Sequence, residues 1–239
     1  MPLAPVQRRS ASAAVFDQLL DEVLDGGFLP GQHLPPERSL TGVLAVNRQA
    51  VREALQRLAQ AGLVEITHGG PTKVLDYRRT GGLDLLPRLL VRDDGFDPEV
   101  VRSVMEMRAT IGPDVARLAA RRAPSATLQG IDRIVEGMRS AQDSTELARL
   151  DVELWDLIVD GSQNIAYRLA YNGLRAVYEP VLDLVSPVLD EELRDLPSRA
   201  TLAAALRRRD ETAAARAART ILAKGTAAMA DALEATEEG

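Results

Sequence analysis

The sequence predicts a mainly α-helical protein in which a small domain of three helices and a β-hairpin precedes an all-helical bundle. Three observations support this fold class. Apolar residues recur every three or four positions over most of the chain, which is typical of amphipathic helices. The clearest alternating, β-rich segment, LVEIT at 63–67, leads directly into the turn sequence HGGP. A length of 239 residues is comfortable for two domains.

The N-terminal domain is predicted over residues 11–77, after a flexible tail at residues 1–10. Its first helix is indicated by apolar residues at helical spacing, and it ends at the two glycines that follow. These apolar residues are Val15, Leu19, Leu20, Val23 and Leu24. The next segment, FLPGQHLPPE at 28–37, contains three prolines and a glycine and therefore predicts a loop.

Two more helices and the hairpin complete this domain. A short second helix is predicted around residues 40–44, and Asn47 is a suitable N-cap for a third. The third helix has a predicted buried stripe of Val51, Ala54, Leu55 and Leu58. The segments LVEIT and TKVL, which flank the glycine turn, predict two short antiparallel strands. Three helices followed by such a hairpin are the outline of a winged helix-turn-helix.

The rest of the chain is predicted to be helical. A linker with a short helix at 83–91 is expected over residues 78–96. Residues 97–239 are expected to form an all-helical domain for effector binding and dimerisation, with one helical run over residues 162–186. The carboxylate pair Glu191-Glu192 is interpreted as solvated helix surface.

Composition and charge exclude several kinds of site and partner. The chain has no cysteine, which excludes disulfides and thiolate metal sites, and no stretch approaches the ~18 apolar residues of a membrane span. A cytoplasmic protein with no membrane partner is therefore expected. Residues 1–79 contain nine Lys/Arg and eight Asp/Glu, against twenty and twenty-seven in residues 80–239. Any nucleic-acid contact must therefore come from a few placed arginines rather than from a general positive field.

The outward face of the third helix carries side chains that suit DNA bases. Arg48, Gln49 and Arg52 project from its first turns, opposite the predicted buried stripe. Arginine can donate two parallel hydrogen bonds to guanine, and glutamine can pair with adenine. A recognition helix enters the major groove with its N-terminal residues foremost, which is where these residues lie. A solvated polar face is the alternative interpretation.

The hairpin tip and the second helix add further candidates. His68 and Gly69 lie in the turn, where glycine permits a close approach of the backbone to a phosphate or a minor groove. Lys73 on the returning strand and Arg38 near the start of the second helix can each contact a phosphate. The alternatives are an ordinary hairpin turn and surface cations with no role.

The N-terminal domain resembles the GntR superfamily of bacterial transcription regulators, and the resemblance rests on the segment LPPERSLTGVLAVNRQAVREALQRLAQAGLVEITHGGPTKV. The continuation into LDYRRTGGLDLLPRLL is similar to the FadR subfamily, which has an FCD-type helical ligand-binding domain, and to actinobacterial regulators of lipid-uptake (mammalian cell entry) operons. The resemblance implies a bacterial DNA-binding protein. It places these residues at family DNA-contact positions: Arg38, Asn47, Arg48, Gln49, Arg52, His68 and Gly69. Pro36 replaces the usual small capping residue of the second helix.

Many relatives of the FCD-type domain bind a divalent metal through one aspartate and three histidines. Asp151 is retained here, but Trp155, Arg199 and Ile221 stand at the histidine positions by alignment. Both histidines of the chain lie in the N-terminal domain. No metal site and no other cofactor is therefore predicted.

A second branch of relatives binds acyl-coenzyme A without a metal, so the resemblance implies a lipid-derived small-molecule effector. That branch uses a glycine, a serine and a tryptophan where this chain has Leu222, Gly225 and Met229, and these residues do not add support for that ligand. Candidate polar groups for an effector pocket lie among apolar neighbours at helical spacing. They are Arg108, Asp151, Asn172, Tyr178 and Arg219. Core hydrogen bonding or a surface charge is the alternative for each.

Together these features predict a sequence-specific DNA-binding transcription regulator, a repressor of lipid or fatty-acid genes that a small molecule releases. One winged domain contacts too few base pairs for useful specificity, so a homodimer on a palindromic operator is expected. The alternative is a helical ligand-binding or scaffold protein whose winged domain contacts another protein. The sequence has no P-loop, dinucleotide-binding glycine fingerprint or nucleophile elbow, so no enzyme is predicted.

Overall fold

The computed structural model describes residues 10–67, 69–92 and 95–237. The chain divides into two compact units, one up to Leu85 and the other from Leu86. Helices dominate both units, so the predicted fold class is confirmed. Within the described ranges, no helix is both long enough and apolar enough to cross a membrane.

The N-terminal unit contains three main helices and a two-stranded antiparallel sheet, as the sequence predicts. The helices are α1 (Ala11–Leu24), α2 (Glu37–Val43) and α3 (Arg48–Gln60), and the strands are β1 (Val64–Ile66) and β2 (Thr72–Val74). One further turn of helix, α4 (Tyr77–Thr80), follows the hairpin. Pro36 precedes α2 without a capping side chain, but its carbonyl accepts hydrogen bonds from the amides of Ser39 and Leu40.

The predicted apolar stripe of α3 faces the core of this unit. Val51, Ala54 and Leu58 have no exposed surface. The same helix packs against α1, where the guanidinium of Arg57 lies 3.9 Å from the centre of the Phe16 ring. The other buried apolar residues of the unit's core include Val15, Leu19, Leu20, Val23, Leu34, Leu40, Leu55, Leu63, Val64 and Val74. This packing fixes the rotation of α3 about its own axis.

Helix α3 ends in a turn that requires glycine. The amide of Leu63 donates to the carbonyl of Leu58 at 2.9 Å, and the amide of Gly62 donates to the carbonyl of Ala59 at 3.1 Å. This pair of bonds is the Schellman motif, in which the residue after the helix adopts a left-handed conformation. Gly62 does so, with φ of +74°. A β-carbon at Gly62 would also overlap the carbonyl of Thr80, whose hydroxyl donates to the Gly62 carbonyl at 2.6 Å.

The segment predicted as a loop before α2 pairs with the hairpin as a third, strand-like segment. The amide of Leu34 donates to the carbonyl of Thr72 at 2.9 Å, and the amide of Val74 donates to the carbonyl of Gln32 at 2.8 Å. Strand β2 therefore pairs with β1 on one side and with residues 32–34 on the other. The prolines that follow this segment concealed its strand character, because proline is a strong loop signal.

The C-terminal unit is a bundle of helices around one apolar core. Its long helices are α6 (Pro98–Arg122), α7 (Ser125–Gly137), α8 (Ser144–Ser162), α9 (Ile165–Tyr178), α12 (Leu196–Arg207) and α13 (Glu211–Glu237). Its short elements are α5 (Leu86–Leu90), the antiparallel pair β3 (Val91–Arg92) and β4 (Gly95–Phe96), α10 (Leu182–Val185) and α11 (Asp190–Leu193). Helix α6 packs against both α8 and α13 and so runs through the centre of the bundle.

The predicted helical run over residues 162–186 is interrupted in the structure. Helix α9 ends at Tyr178, and a 3-10 turn at Glu179–Val181 leads into α10. Pro180 lies in that turn. Proline lacks the amide hydrogen that a continuous α-helix would use, so the α-helical hydrogen-bond pattern is interrupted there.

Replacing Gly62 by alanine is expected to destabilise the N-terminal unit by about 1–2 kcal/mol, because alanine disfavours positive φ and its β-carbon meets Thr80. Gly42→Ala is the matched control, since a β-carbon at this position in α2 meets nothing within 4 Å. Thermal unfolding of both variants, followed by circular dichroism, measures the difference. Equal unfolding temperatures for the two variants would contradict the role given to this turn.

Candidate DNA-binding surface and effector cavity

The first turns of α3 form an exposed polar surface, here called the recognition surface, that consists of Arg48, Gln49 and Arg52. Asn47 caps the helix, since its side-chain oxygen accepts a hydrogen bond from the amide of Ala50 at 2.8 Å. All three side chains of the recognition surface are exposed, and that of Arg52 retains 60% of its accessible surface. Because the opposite face of α3 is buried, these side chains point away from the core.

Two of the three side chains of the recognition surface, Arg52 and Gln49, contact carboxylates. Nη2 of Arg52 lies 3.2 Å from Oε2 of Glu37, at the start of α2. Gln49 donates a hydrogen bond of 2.8 Å to Glu53, one helical turn later. The hydrogen bonds from Gln49 and then Ser12 lower the pKa of Glu53, so its carboxylate is charged at neutral pH. These acidic partners orient the recognition surface while they reduce its net positive charge.

Sequence reasoning did not identify Glu37 or Glu53. The spacing of four residues between Gln49 and Glu53 is a helical signal that could have revealed their contact. Glu37 and Arg52 are fifteen residues apart and meet only because α2 packs against α3. Arg48 differs from its neighbours, since it makes no ion pair within the part of the chain that the structure describes.

The other predicted DNA contacts lie outside α3. The side chains of Arg38 in α2 and Lys73 in β2 are exposed, and Lys73 lies opposite Glu65 in the hairpin. Gly69 has φ of +73° with open space where a β-carbon would lie, so the backbone at this tip is accessible. His68 lies outside the described residues.

The C-terminal unit contains a cavity of about 170 Å³ with a predominantly apolar lining. Helices α6, α8, α9 and α13 supply most of its walls. Apolar lining residues include Met105, Ile111, Trp155, Leu174, Leu222 and Met229. A concave, mostly apolar space with a few polar groups is the usual form of a small-molecule site.

The structure brings three of the five predicted effector residues together. Arg108, Asp151 and Tyr178 line the cavity. Asn172 on α9 and Arg219 on α13 are exposed and lie outside the lining. Both fall on the outer faces of their helices, which the helical spacing of apolar neighbours did not distinguish from the inner faces.

Asp151 forms a buried ion pair with Arg199. Nε and Nη2 of Arg199 both donate to Oδ1 of Asp151, at 3.1 and 2.6 Å. The remaining nitrogen, Nη1, donates to the backbone carbonyls of Glu192 and Asp195. Asp151 is the position that the resemblance associates with a metal, and here an arginine from α12 binds its carboxylate. Within the described ranges, no group of three or more acidic, histidine or cysteine residues is arranged to hold a metal.

A second ion pair, between Arg108 and Glu192, lies at the cavity wall. The side chain of Glu192 is wholly buried, so its interpretation as solvated helix surface is wrong, whereas Glu191 is exposed as expected. Burial raises the pKa of Glu192 above its ordinary value, against the opposing charge of Arg108. Burial likewise raises the pKa of Tyr178, which is therefore an uncharged phenol.

A winged helix-turn-helix with an exposed polar recognition surface, followed by a helical domain with an apolar cavity, indicates a DNA-binding transcription regulator. The chain belongs to the family described as "Bacterial regulatory proteins, gntR family", which residues 11–74 match. Residues 103–224 match the FCD domain. The predicted family, and with it the prediction of a regulator rather than an enzyme, is confirmed.

Two relatives agree with this membership, and one solved structure has a similar fold. The HTH-type transcriptional regulator Mce2R of Mycobacterium tuberculosis is 41% identical, over 93% of this chain and 92% of that protein. The fatty acid metabolism regulator protein of Klebsiella pneumoniae subsp. pneumoniae is 30% identical, over 72% of this chain and 71% of that protein. The solved structure of Lar, described as controlling the Listeria monocytogenes agr system, has a similar fold, with a TM-score of 0.58, 14% identity and coverage of 95% and 99%.

We expect Glu37→Gln to raise the affinity for non-specific DNA and to lower the ratio of specific to non-specific affinity, because Arg52 loses the partner that orients it. Fluorescence anisotropy with operator and random duplexes measures both affinities at one salt concentration. Glu65→Gln is the matched control, since it removes the same charge from the hairpin. An equal effect of both variants would show that Glu37 acts through general charge alone. Protein stability should change little, since exposed ion pairs contribute about 0–1 kcal/mol.

We expect Arg199→Met to destabilise the C-terminal unit by about 3–5 kcal/mol, because it leaves the buried Asp151 carboxylate without its partner. The double variant Asp151→Leu, Arg199→Met should recover part of this loss, since it removes both charges. Urea unfolding of the two variants gives the comparison. A double variant less stable than the single one would contradict the assignment of Arg199 as the counter-charge of Asp151.

Proposed function

We propose that this protein is a cytoplasmic repressor of lipid or fatty-acid genes that binds a palindromic operator as a homodimer. A small molecule in the cavity of the FCD domain releases it from DNA. The observation that carries this proposal is the recognition surface, where three side chains suited to base edges stand exposed on a helix whose other face is buried. Two copies related by two-fold symmetry match the two halves of a palindrome.

Each candidate contact has a proposed role on DNA. Arg48 and Arg52 read guanines in the major groove, and Gln49 reads an adenine. The backbone-contacting residues position the domain without reading sequence. They are Arg38, Asn47, His68, Gly69 and Lys73. In the free protein, the contact with Glu37 orients the side chain of Arg52 beside α3 before DNA binds.

The effector proposal rests on the cavity and on the named relatives. The lining is apolar enough to favour a lipid-derived group, and one relative is named a fatty acid metabolism regulator. Acyl-coenzyme A is the proposed effector class that follows from this likeness. Its binding would bias the two DNA-binding units between two arrangements, and a differential affinity for those arrangements is sufficient to change operator binding.

Arg48→Ala and Arg52→Ala are each expected to lower operator affinity by about 1–3 kcal/mol, because each removes a bidentate contact to guanine. Arg57→Ala is the matched control, since it removes a charge from the same helix at a position that contacts Phe16. Gel-shift titration measures the three affinities. Unchanged operator binding in both test variants would remove the recognition surface from the mechanism.

The effector proposal predicts that acyl-coenzyme A dissociates the protein from its operator and that free coenzyme A does not. The acyl chain would occupy the cavity in the C-terminal unit, so release should depend on the chain. Fluorescence anisotropy of a labelled operator duplex, titrated with each compound, measures this release. Equal release by free coenzyme A, or none by any acyl chain length, would contradict acyl-coenzyme A as the effector.

A further inference from the structure

The side chain of Gln49 is fixed in one orientation by Glu53. Its Nε2 donates a hydrogen bond of 2.8 Å to Oε1 of Glu53, one turn later in α3. Glu53 also accepts a hydrogen bond from Ser12 in α1, and the bonds from Gln49 and then Ser12 keep the pKa of this carboxyl below its ordinary value. The group is therefore an ionised carboxylate at neutral pH, which accepts hydrogen bonds but cannot donate one.

Because Glu53 only accepts, the amide of Gln49 can face it in only one way. The NH₂ group must point to the carboxylate, since the amide oxygen in that place would put two acceptors together. This contact uses one N–H of Gln49. In the part of the chain that the structure describes, the amide oxygen Oε1 of Gln49 makes no hydrogen bond. Oε1 and the second N–H therefore remain for DNA, and both residues are exposed.

The donor and acceptor that remain on Gln49 distinguish the two purines. In the major groove, adenine presents the acceptor N7 and the donor N6, whereas guanine presents two acceptors, N7 and O6. One N–H and one oxygen match adenine. An amide that is free to turn can instead point both N–H groups at the two acceptors of guanine. When Glu53 uses one N–H, Oε1 of Gln49 faces O6 of guanine, and neither oxygen carries a hydrogen.

We propose that Glu53 makes α3 discriminate adenine from guanine at the base pair that Gln49 reads. Glu53 is a positioning residue, because it sets the order of donor and acceptor that Gln49 presents and does not itself contact the base. Selective sites generally require such support, in which a second side chain fixes the rotamer of the first. This inference rests on the proposed DNA-binding function, and it assigns a specificity role to a residue outside the recognition surface.

A modified base pair isolates this contact. Hypoxanthine paired with 5-methylcytosine replaces the A·T pairs of the operator one at a time. The modified pair retains the methyl group and the minor-groove acceptors of A·T, but it has the acceptor O6 where adenine has its N6 donor. Fluorescence anisotropy at one salt concentration gives the ratio of affinities for the two duplexes. A general change in the charge of the protein cancels in this ratio.

The unmodified protein is expected to bind about tenfold more weakly when the replacement falls at the pair that Gln49 reads, because a bidentate contact is lost. Gln49→Ala should show no such loss at that pair. Glu53→Gln should reduce the loss to about twofold, because a glutamine at this position can donate as well as accept and so permits either orientation of Gln49.

Two further variants are matched controls. Glu65→Gln removes the same charge from an exposed position in β1. Ser12→Ala removes one hydrogen bond from Glu53 but leaves its carboxylate as an acceptor only. Both should retain the preference for the A·T duplex. A loss of preference in either control as large as that in Glu53→Gln would contradict the role given to the acceptor-only carboxylate.

A preference that depends on Gln49 at no position would overturn the proposal, as would one that is unchanged in Glu53→Gln. Titration of the same duplexes with Arg48→Ala and Arg52→Ala separates this failure from a failure of the proposed function. If an arginine variant loses operator affinity while no preference depends on Gln49, the role of Glu53 is wrong and the DNA-binding function stands. If none of the three variants of the recognition surface loses operator affinity, the proposed function fails as well.

Discussion

The burial of one face of α3 is the constraint on which the DNA-binding half depends. Val51, Ala54 and Leu58 are fully enclosed, so the helix cannot rotate without exposing apolar surface to water. The Asn47 cap and the Schellman turn at Gly62 fix the two ends of this helix. The composition of the recognition surface follows from this packing, because it determines which side chains remain outside.

Charged side chains in this protein act at specific positions rather than as a broad field of one sign. In the winged unit, Glu37 and Glu53 accompany the side chains of the recognition surface, so specificity does not rest on a broad positive field. In the FCD domain the pairs Asp151–Arg199 and Arg108–Glu192 balance within the core. Arg199 supplies the positive charge beside Asp151, at the position that the resemblance associates with a metal.

The sequence predicted most of the fold because its signals are local. The α3 stripe, the Asn47 cap and the glycine turn each depend on residues close in sequence. The pairing of residues 32–34 with β2 and the contact of Arg52 with Glu37 escaped prediction, since both join segments that only folding brings together. Glu192 was misinterpreted for the same reason, because its burial depends on α13 covering α11. Of the predicted effector residues, Arg108, Asp151 and Tyr178 line the cavity. The exposed Asn172 and Arg219 show that helical spacing alone does not identify the inner face.

The most direct test of the account is an operator in which single guanines are replaced by 7-deazaguanine, which lacks the N7 acceptor. The affinities of the unmodified protein, Arg48→Ala and Arg52→Ala are measured on each duplex. If α3 reads bases, one replacement weakens binding of the unmodified protein but has no further effect on the variant that has lost the matching arginine. If every replacement weakens all three proteins equally, neither arginine contacts a guanine, and α3 does not read the operator in the way proposed.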